Sequence, residues 1–286
     1  MLSLMTAALS LLPAASATTV SGRETARGTT TYSDTFTINL DSIMVIRSGL
    51  THYWFGEAIV YGELCMYEDS WSAGWTTVFE DDIYNYGVIV IDDSYAWAGE
   101  TFSANGGTFY NSGYFFVDGH NSGLGESNYK ISAANTFNND GGLISMQQAS
   151  GSASVTLGDS YLRNTGTICL EYANWEQSAT VTDTGCISIN SGGQLTIDNL
   201  ANDPVADQTI YLQNTTSILS IGGYSANTLL VRGFGSSNVI SFPYGITSNT
   251  YNATSGIVAV ATSGGTYYID IGHYYNSTPL RMMIKV

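Results

Sequence analysis

Five aspartates are the first place in this sequence to look for chemistry. Asp81-Asp82 and Asp92-Asp93 are adjacent pairs, and Asp118 follows Asp92 by 26 residues. Glycoside hydrolysis needs two carboxyl groups facing each other across a cleft, about 5–9.5 Å apart. Neighbours along a strand point to opposite faces, so neither pair is such a site by itself. Asp92 and Asp118 close two similar stretches, NYGVIVID (85–92) and NSGYFFVD (111–118). If those stretches stack, the two carboxylates meet and one pKa rises. Turn residues at a solvated corner are the plainer reading. A calcium-assisted lyase site also wants a basic residue beside the carboxylates, and no Lys or Arg clusters there.

His52, His120 and His273 stand far apart, in no metal-ligand spacing. GHNSG (119–123) lacks the regular oxygen ligands of a calcium loop and suits a polar corner better. No G-x-S-x-G motif and no phosphate-binding loop occurs. No catalytic residue, metal ligand or cofactor is therefore assigned. The aromatic residues carry more promise. YEDSWSAGWTTVF (67–79) holds Trp71 and Trp75, and Tyr95 and Trp97 follow soon after. Exposed Trp and Tyr make good platforms for sugars or protein partners. For any one of them, filling the interior is the commoner fate. The candidate ligand contacts are Trp71, Trp75 and Trp97.

The elements that position these residues follow from a repeat. Counting from a glycine, apolar residues recur at plus two and plus four: Leu64 and Met66 after Gly62, Ile89 and Ile91 after Gly87, Phe115 and Val117 after Gly113. Gly142, Gly166 and Gly185 are followed by Ile144/Met146, Ile168/Leu170 and Ile187/Ile189. The glycines are 25, 26, 29, 24 and 19 residues apart. Alternation at period two means a strand with one buried face. Recurrence at 20–30 residues means stacked repeats. The Leu and Asn ladder of leucine-rich repeats is missing, and no helical apolar stripe appears in the chain after its first residues. The reading is a parallel β-helix over residues 18–205, favoured over unrelated hairpins in a sandwich. The N-x-G or T-x-G before each strand is read as a corner where Asn tolerates the left-handed region and Gly supplies positive φ. TFTINL and SIMVIR begin or cap the near end.

After the polar DNLANDPVADQ (198–208) the style changes. Seven short apolar runs follow at roughly 10–12-residue spacing, which suggests an antiparallel sandwich-like domain or cap over 206–286. Tyr267 and Tyr268 are consecutive, so one must face outward if they lie on a strand.

Residues 1–17, MLSLMTAALSLLPAASA, read as a secretory signal peptide ending in a small-x-small site. The chain has 24 Asp and Glu against 8 Lys and Arg, a net charge of −16, so nucleic acid and anionic membranes are unsuitable partners. No stretch of the mature segment reaches transmembrane length. Sequons at Asn214, Asn252 and Asn276 suit a secreted glycoprotein. Three cysteines leave one over. Cys169 and Cys186 leave the apolar face of adjacent rungs and are expected to form a disulfide, worth about 3 kcal/mol. In exact register their Cα atoms would sit about 8 Å apart on the diagonal, so the bond needs the short 19-residue spacing to shift the rungs. Cys65 is then the odd thiol.

NTGTICL (164–170), TDTGCISI (182–189), DQTIYL (207–212), VRGFGSSNVISF (231–242) and YYIDIGHYYN (267–276) together resemble successive landmarks of a known family. It is the N-terminal domain of hyphally regulated cell-wall proteins, which are glycosylphosphatidylinositol-anchored, adhesin-like proteins of yeasts. The resemblance spans nearly all of the mature chain. It implies an all-β, right-handed parallel β-helix followed by a sandwich-like domain, shown on the wall by a Ser/Thr-rich stalk. It also implies adhesion, wall structure or shielding from host defences as the role. The sequence runs to Val286 without stalk or anchor signal, so it is read as a fragment or a short secreted relative. The expectation is a non-enzymatic, monomeric surface head whose ligand is a surface, a glycan or a host protein. A carbohydrate-active β-helix enzyme and a purely structural wall coat are the competing readings.

Overall fold

A computed structural model describes residues 17–68, 76–92, 94, 101–119, 127–198, 200–201, 205, 207–225, 227–235, 237–273 and 275. Among these residues every regular element is a strand. The strands fall into three sheets of eight, thirteen and ten. Successive strands in the chain visit the three sheets in turn, so each triplet makes one rung of a parallel β-helix. Ile83–Asn85, Val88–Asp92 and Thr101–Ala104 form one such rung. The first sheet, which begins at Thr18–Val20 and ends at Thr180–Thr182, counts eight full turns.

The repeat seen in the sequence is the second-sheet strand of each rung. Val88 to Asp92 pair residue for residue with Tyr114 to Asp118, the two stretches that looked alike. The plus-two and plus-four residues form two interior ladders. Leu64, Ile89, Phe115, Ile144, Ile168 and Ile187 stack in the first, and all are fully buried. Apolar side chains pack there without a gap because parallel rungs repeat at about 4.8 Å, close to the contact distance of branched aliphatics. Variable spacing is absorbed in the turns, so the strand cores keep register from rung to rung.

The corner between first and second sheets has a different logic from the one expected. The glycines there do not adopt positive φ. They are required by close approach. A Cβ on Gly87 would lie 2.1 Å from the Gly62 carbonyl oxygen, and one on Gly113 2.0 Å from that of Gly87. The rungs approach because each corner carbonyl accepts from the residue after the next glycine: Val88 N to Gly62 O at 2.9 Å, Tyr114 N to Gly87 O at 2.8 Å, Thr167 N to Gly142 O at 2.9 Å. The asparagines are not there for the left-handed region either. They form a buried amide ladder, Asn85 donating to Asn111, Asn111 to Asn139 and Asn139 to Asn164, at 2.7, 2.7 and 2.8 Å. Asn164 donates in turn to Gln208 at 2.7 Å. Gln208 ends the ladder by donating to the carbonyls of Asn164 and Thr182.

The break expected at 205/206 does not divide the sheets. Cys186–Ile189, Thr209–Leu212 and Thr228–Arg232 stack in parallel, and so do Gln194–Ile197, Ile218–Ile221 and Val239–Ser241. The coil therefore continues, now with two strands per turn of about 21–24 residues, which produces the spacing of the apolar runs at roughly 10–12 residues. Among the described residues, antiparallel pairing is confined to Ile246–Asn252, Ile257–Thr262 and Gly265–Asp270. Gly265–Asp270 pairs in parallel with Thr228–Arg232, so this meander extends the second sheet as a cap. Arg232 fastens it, its guanidinium reaching the Asp270 carboxylate at 3.2 Å and the Asp270 carbonyl at 2.7 Å. The outermost strand is mostly polar and exposed, which blunts the free edge.

Candidate functional site

The aspartates serve the backbone. Asp82 accepts from Thr108 N at 2.7 Å and from the Tyr84 hydroxyl at 3.3 Å. Asp81 accepts from the amide of Asp82 at 2.8 Å. Asp92 and Asp118 do sit opposite each other on adjacent rungs, facing outward from a sheet and not across a cleft. Asp92 caps a turn by accepting from Ser94 N at 3.0 Å, and Asp93 lies outside the described residues. Among the described residues no three His, Cys, Asp or Glu side chains gather to hold a metal.

His52 is interior, its Nδ1 2.9 Å from the Thr30 hydroxyl. Burial pushes its pKa down to about 4, against the opposing pull of the Glu68 carboxylate. His273 is exposed near the Ala253 carbonyl, and His120 lies outside the described residues.

The expected disulfide is absent, and Cys65, Cys169 and Cys186 are all free thiols. The short 19-residue spacing does not shift the rungs. Cys169 stands opposite Ser188 and Cys186 opposite Thr167, leaving the two cysteines on the diagonal, about 8 Å apart and too far to bridge. Cys186 Sγ instead lies 3.1 Å from the Thr167 hydroxyl. Burial and the neighbouring Cys186 push the Cys169 thiol up to about 11.

Trp71, Trp75 and Trp97 lie outside the described residues, as does Tyr95. Trp54 and Trp175 fill the interior, Trp54 stacked on Phe79 at 4.4 Å. Tyr67 is covered by the Arg47 guanidinium, 4.9 Å above its ring. Tyr267 is buried and its neighbour Tyr268 exposed, as alternation requires.

Three exposed tyrosines beside the corner glycines were not among the candidate contacts read from the sequence. Tyr61 and Tyr86 each precede a corner glycine, and Tyr114 follows one. Their exposures are 46%, 44% and 54%, with Tyr61 and Tyr86 at the corner itself and Tyr114 opening a second-sheet strand. The signal was available as Tyr-Gly recurring 25 residues apart. Tyr61 and Tyr86 stack face to face, with centroids 5.0 Å apart and planes 10° apart. The stack covers one face of each ring and leaves both side chains substantially exposed.

Between these flanks the glycine corner leaves a shallow furrow parallel to the helix axis. Three hollows lie along it. One of about 330 Å³ lies between Leu40, Tyr61 and Val88, with Gly62 and Gly87 as its floor. One of about 240 Å³ is walled by Ser112, Tyr114 and Leu143 over Gly113 and Gly142. One of about 350 Å³ lies over Gly166 and Gly185 between Thr165, Thr184 and Tyr211. No Lys or Arg lines any of the three. Arg163, on the neighbouring outer face, is engaged by Asp183.

Asn214 and Asn252 are exposed, and Asn276 lies outside the described residues. Asn214 follows a second-sheet strand, at the corner away from the furrow. No helix of the described residues is long and apolar enough to cross a membrane.

The chain is 25% identical over 210 residues to a hyphally-regulated protein of Candida albicans, covering 70% of this chain and 22% of that one. It is 28% identical over 205 residues to hyphally regulated cell wall protein 3 of C. albicans, covering 68% and 16%. It is also 28% identical over 218 residues to cell wall protein IFF6 of that species, covering 71% and 20%. The matched region thus spans about a fifth of the length of these relatives. The family model for the N-terminal domain of hyphally regulated cell wall proteins matches residues 8–286, and the chain belongs to that family.

Proposed function

We propose that this chain is the exposed, non-enzymatic head of a secreted cell-wall surface protein and that it mediates attachment. Membership of a family of cell wall proteins supports the location. The observation that carries the adhesive role is the run of exposed tyrosines on adjacent rungs, Tyr61, Tyr86 and Tyr114, held on a rigid solenoid. Exposed aromatic rows on a fixed scaffold bury large areas on contact and lose little entropy in doing so. The aspartates a polysaccharide-cleaving site would need are spent on backbone amides or face outward from a sheet.

The test is surface display of the chain on non-adherent cells, scored for attachment to glycan-coated, protein-coated and plastic surfaces. Attachment above control is expected, and Tyr86→Ala with Tyr114→Ala should reduce it. Attachment no better than control on every surface would leave a structural coat in place of an adhesin. Release of sugars or unsaturated products from a polysaccharide would overturn the non-enzymatic reading.

A further inference from the structure

We infer that the furrow over the glycine corner is a binding site for a neutral, linear polysaccharide lying parallel to the solenoid axis. This deepens the attachment reading and rests on it for its biological setting, while its geometry stands alone. The three hollows are shallow and each lies near or below the low end of small-molecule pockets, about 300–1,000 Å³. A compact ligand would find little enclosure in any of them. They are collinear because the corner glycines recur once per rung, so an extended polymer can occupy all three at once. From Gly62 to Gly185 there are five rung steps of about 4.8 Å, which gives a track of about 24 Å.

Chemistry selects the polymer. No cation lines the hollows and the molecule carries −16, so anionic glycans and nucleic acid are repelled. An extended peptide would seek unpaired backbone groups, and at this corner the amides and carbonyls are already paired rung to rung. The walls present the hydroxyls of Ser112, Thr165 and Thr184 and the ring of Tyr61, and the carboxylates of Asp41 and Glu63 at the first hollow add to the repulsion of anions. Hydroxyls donate and accept, as the hydroxyls of a neutral sugar do. Each rung offers only a weak contact, and repetition along the track supplies the affinity.

The test titrates the whole chain with β-1,3-linked gluco-oligosaccharides and β-1,4-linked chito-oligosaccharides, from disaccharide to decasaccharide. A sulfated glycan and an extended polar peptide serve as comparison probes. Affinity for at least one neutral series should rise with length and level off near the length of the track. Ser112→Trp and Thr184→Trp place bulk on exposed wall positions and should weaken binding about tenfold, a loss of ~1.4 kcal/mol. Ser154→Trp, exposed on the third sheet, should leave it unchanged. Unchanged thermal midpoints show that the variants fold. Equal binding by furrow and control variants, affinity independent of length, preference for the sulfated glycan or the peptide, or no glycan binding would each overturn the inference. If displayed cells still attach while no glycan binds, only the furrow assignment fails. If glycans bind as described but displayed cells do not attach, the furrow stands and the adhesive reading fails.

Discussion

At the scale of single residues, the interior polar groups carry unusual responsibility. Asn139 sits mid-ladder, accepting from Asn111 and donating to Asn164 and the Gly142 carbonyl. Asn139→Ala leaves the Asn111 amide and the Asn164 carbonyl without those partners in a dry corner. Each orphaned group costs ~1–3 kcal/mol, so the urea midpoint should fall well below that of a surface substitution. His52 adds a pH dependence whose sign is fixed. Its folded value of about 4 lies below the ~6.5 of an unfolded histidine. As pH falls, the unfolded chain takes up this proton first, so stability should decline from about pH 6.5 to about pH 4. His52→Gln cannot titrate and should flatten that slope in urea unfolding measured across the window. A slope identical in both proteins would assign the loss to carboxylates instead.

At the scale of the element, the rung was legible because burial imposes period two, and stacking imposes a recurrence that survives turns of different length. Gly62, Gly87 and Gly113 announced themselves for that reason. Their purpose was not legible. Positive φ and close backbone approach both demand glycine, and only the distance between rungs separates them. The two cases predict different costs. Gly141 has φ +75° with open space around it, so Gly141→Ala should cost ~1–2 kcal/mol of backbone strain. Gly113 has ordinary φ, but a Cβ there would meet the Gly87 carbonyl at 2.0 Å. Gly113→Ala must push two rungs apart and should cost ~3 kcal/mol or more, read from the same midpoints. The amide ladder escaped notice since N-x-G is also ordinary turn chemistry. The disulfide failed on a single-residue register argument, and the coil that continues past residue 205 was hidden because two strands per turn have the apolar spacing of a sandwich. The exposed tyrosines were masked by the tryptophans, which drew attention by type and not by position in the rung.

At the scale of the whole molecule, charge decides how the surface meets its surroundings. Of the 8 basic residues, Arg23, Arg27 and Arg47 stand together at the second-sheet strands of the first two rungs, with Arg27 paired to Arg47 in register. The other basic residues that the structure describes, Lys130, Arg163 and Arg232, are scattered, and the last two are each paired with an aspartate, so the long flanks of the solenoid hold no second basic cluster. Attachment through the furrow and its tyrosines involves no opposite charges, and screening has little to remove. Raising ionic strength from about 0.05 M to about 0.5 M shortens the Debye length several-fold. Attachment of displayed cells to a neutral glycan surface should then change by less than about twofold. Attachment to an acidic surface should strengthen, because screening relieves repulsion from a head at −16. A steep loss of attachment with salt would mean that cations carry the contact. The arginines of the first two rungs would then replace the glycine corner as the face that binds, and Arg23→Gln with Arg27→Gln should abolish the salt-sensitive part.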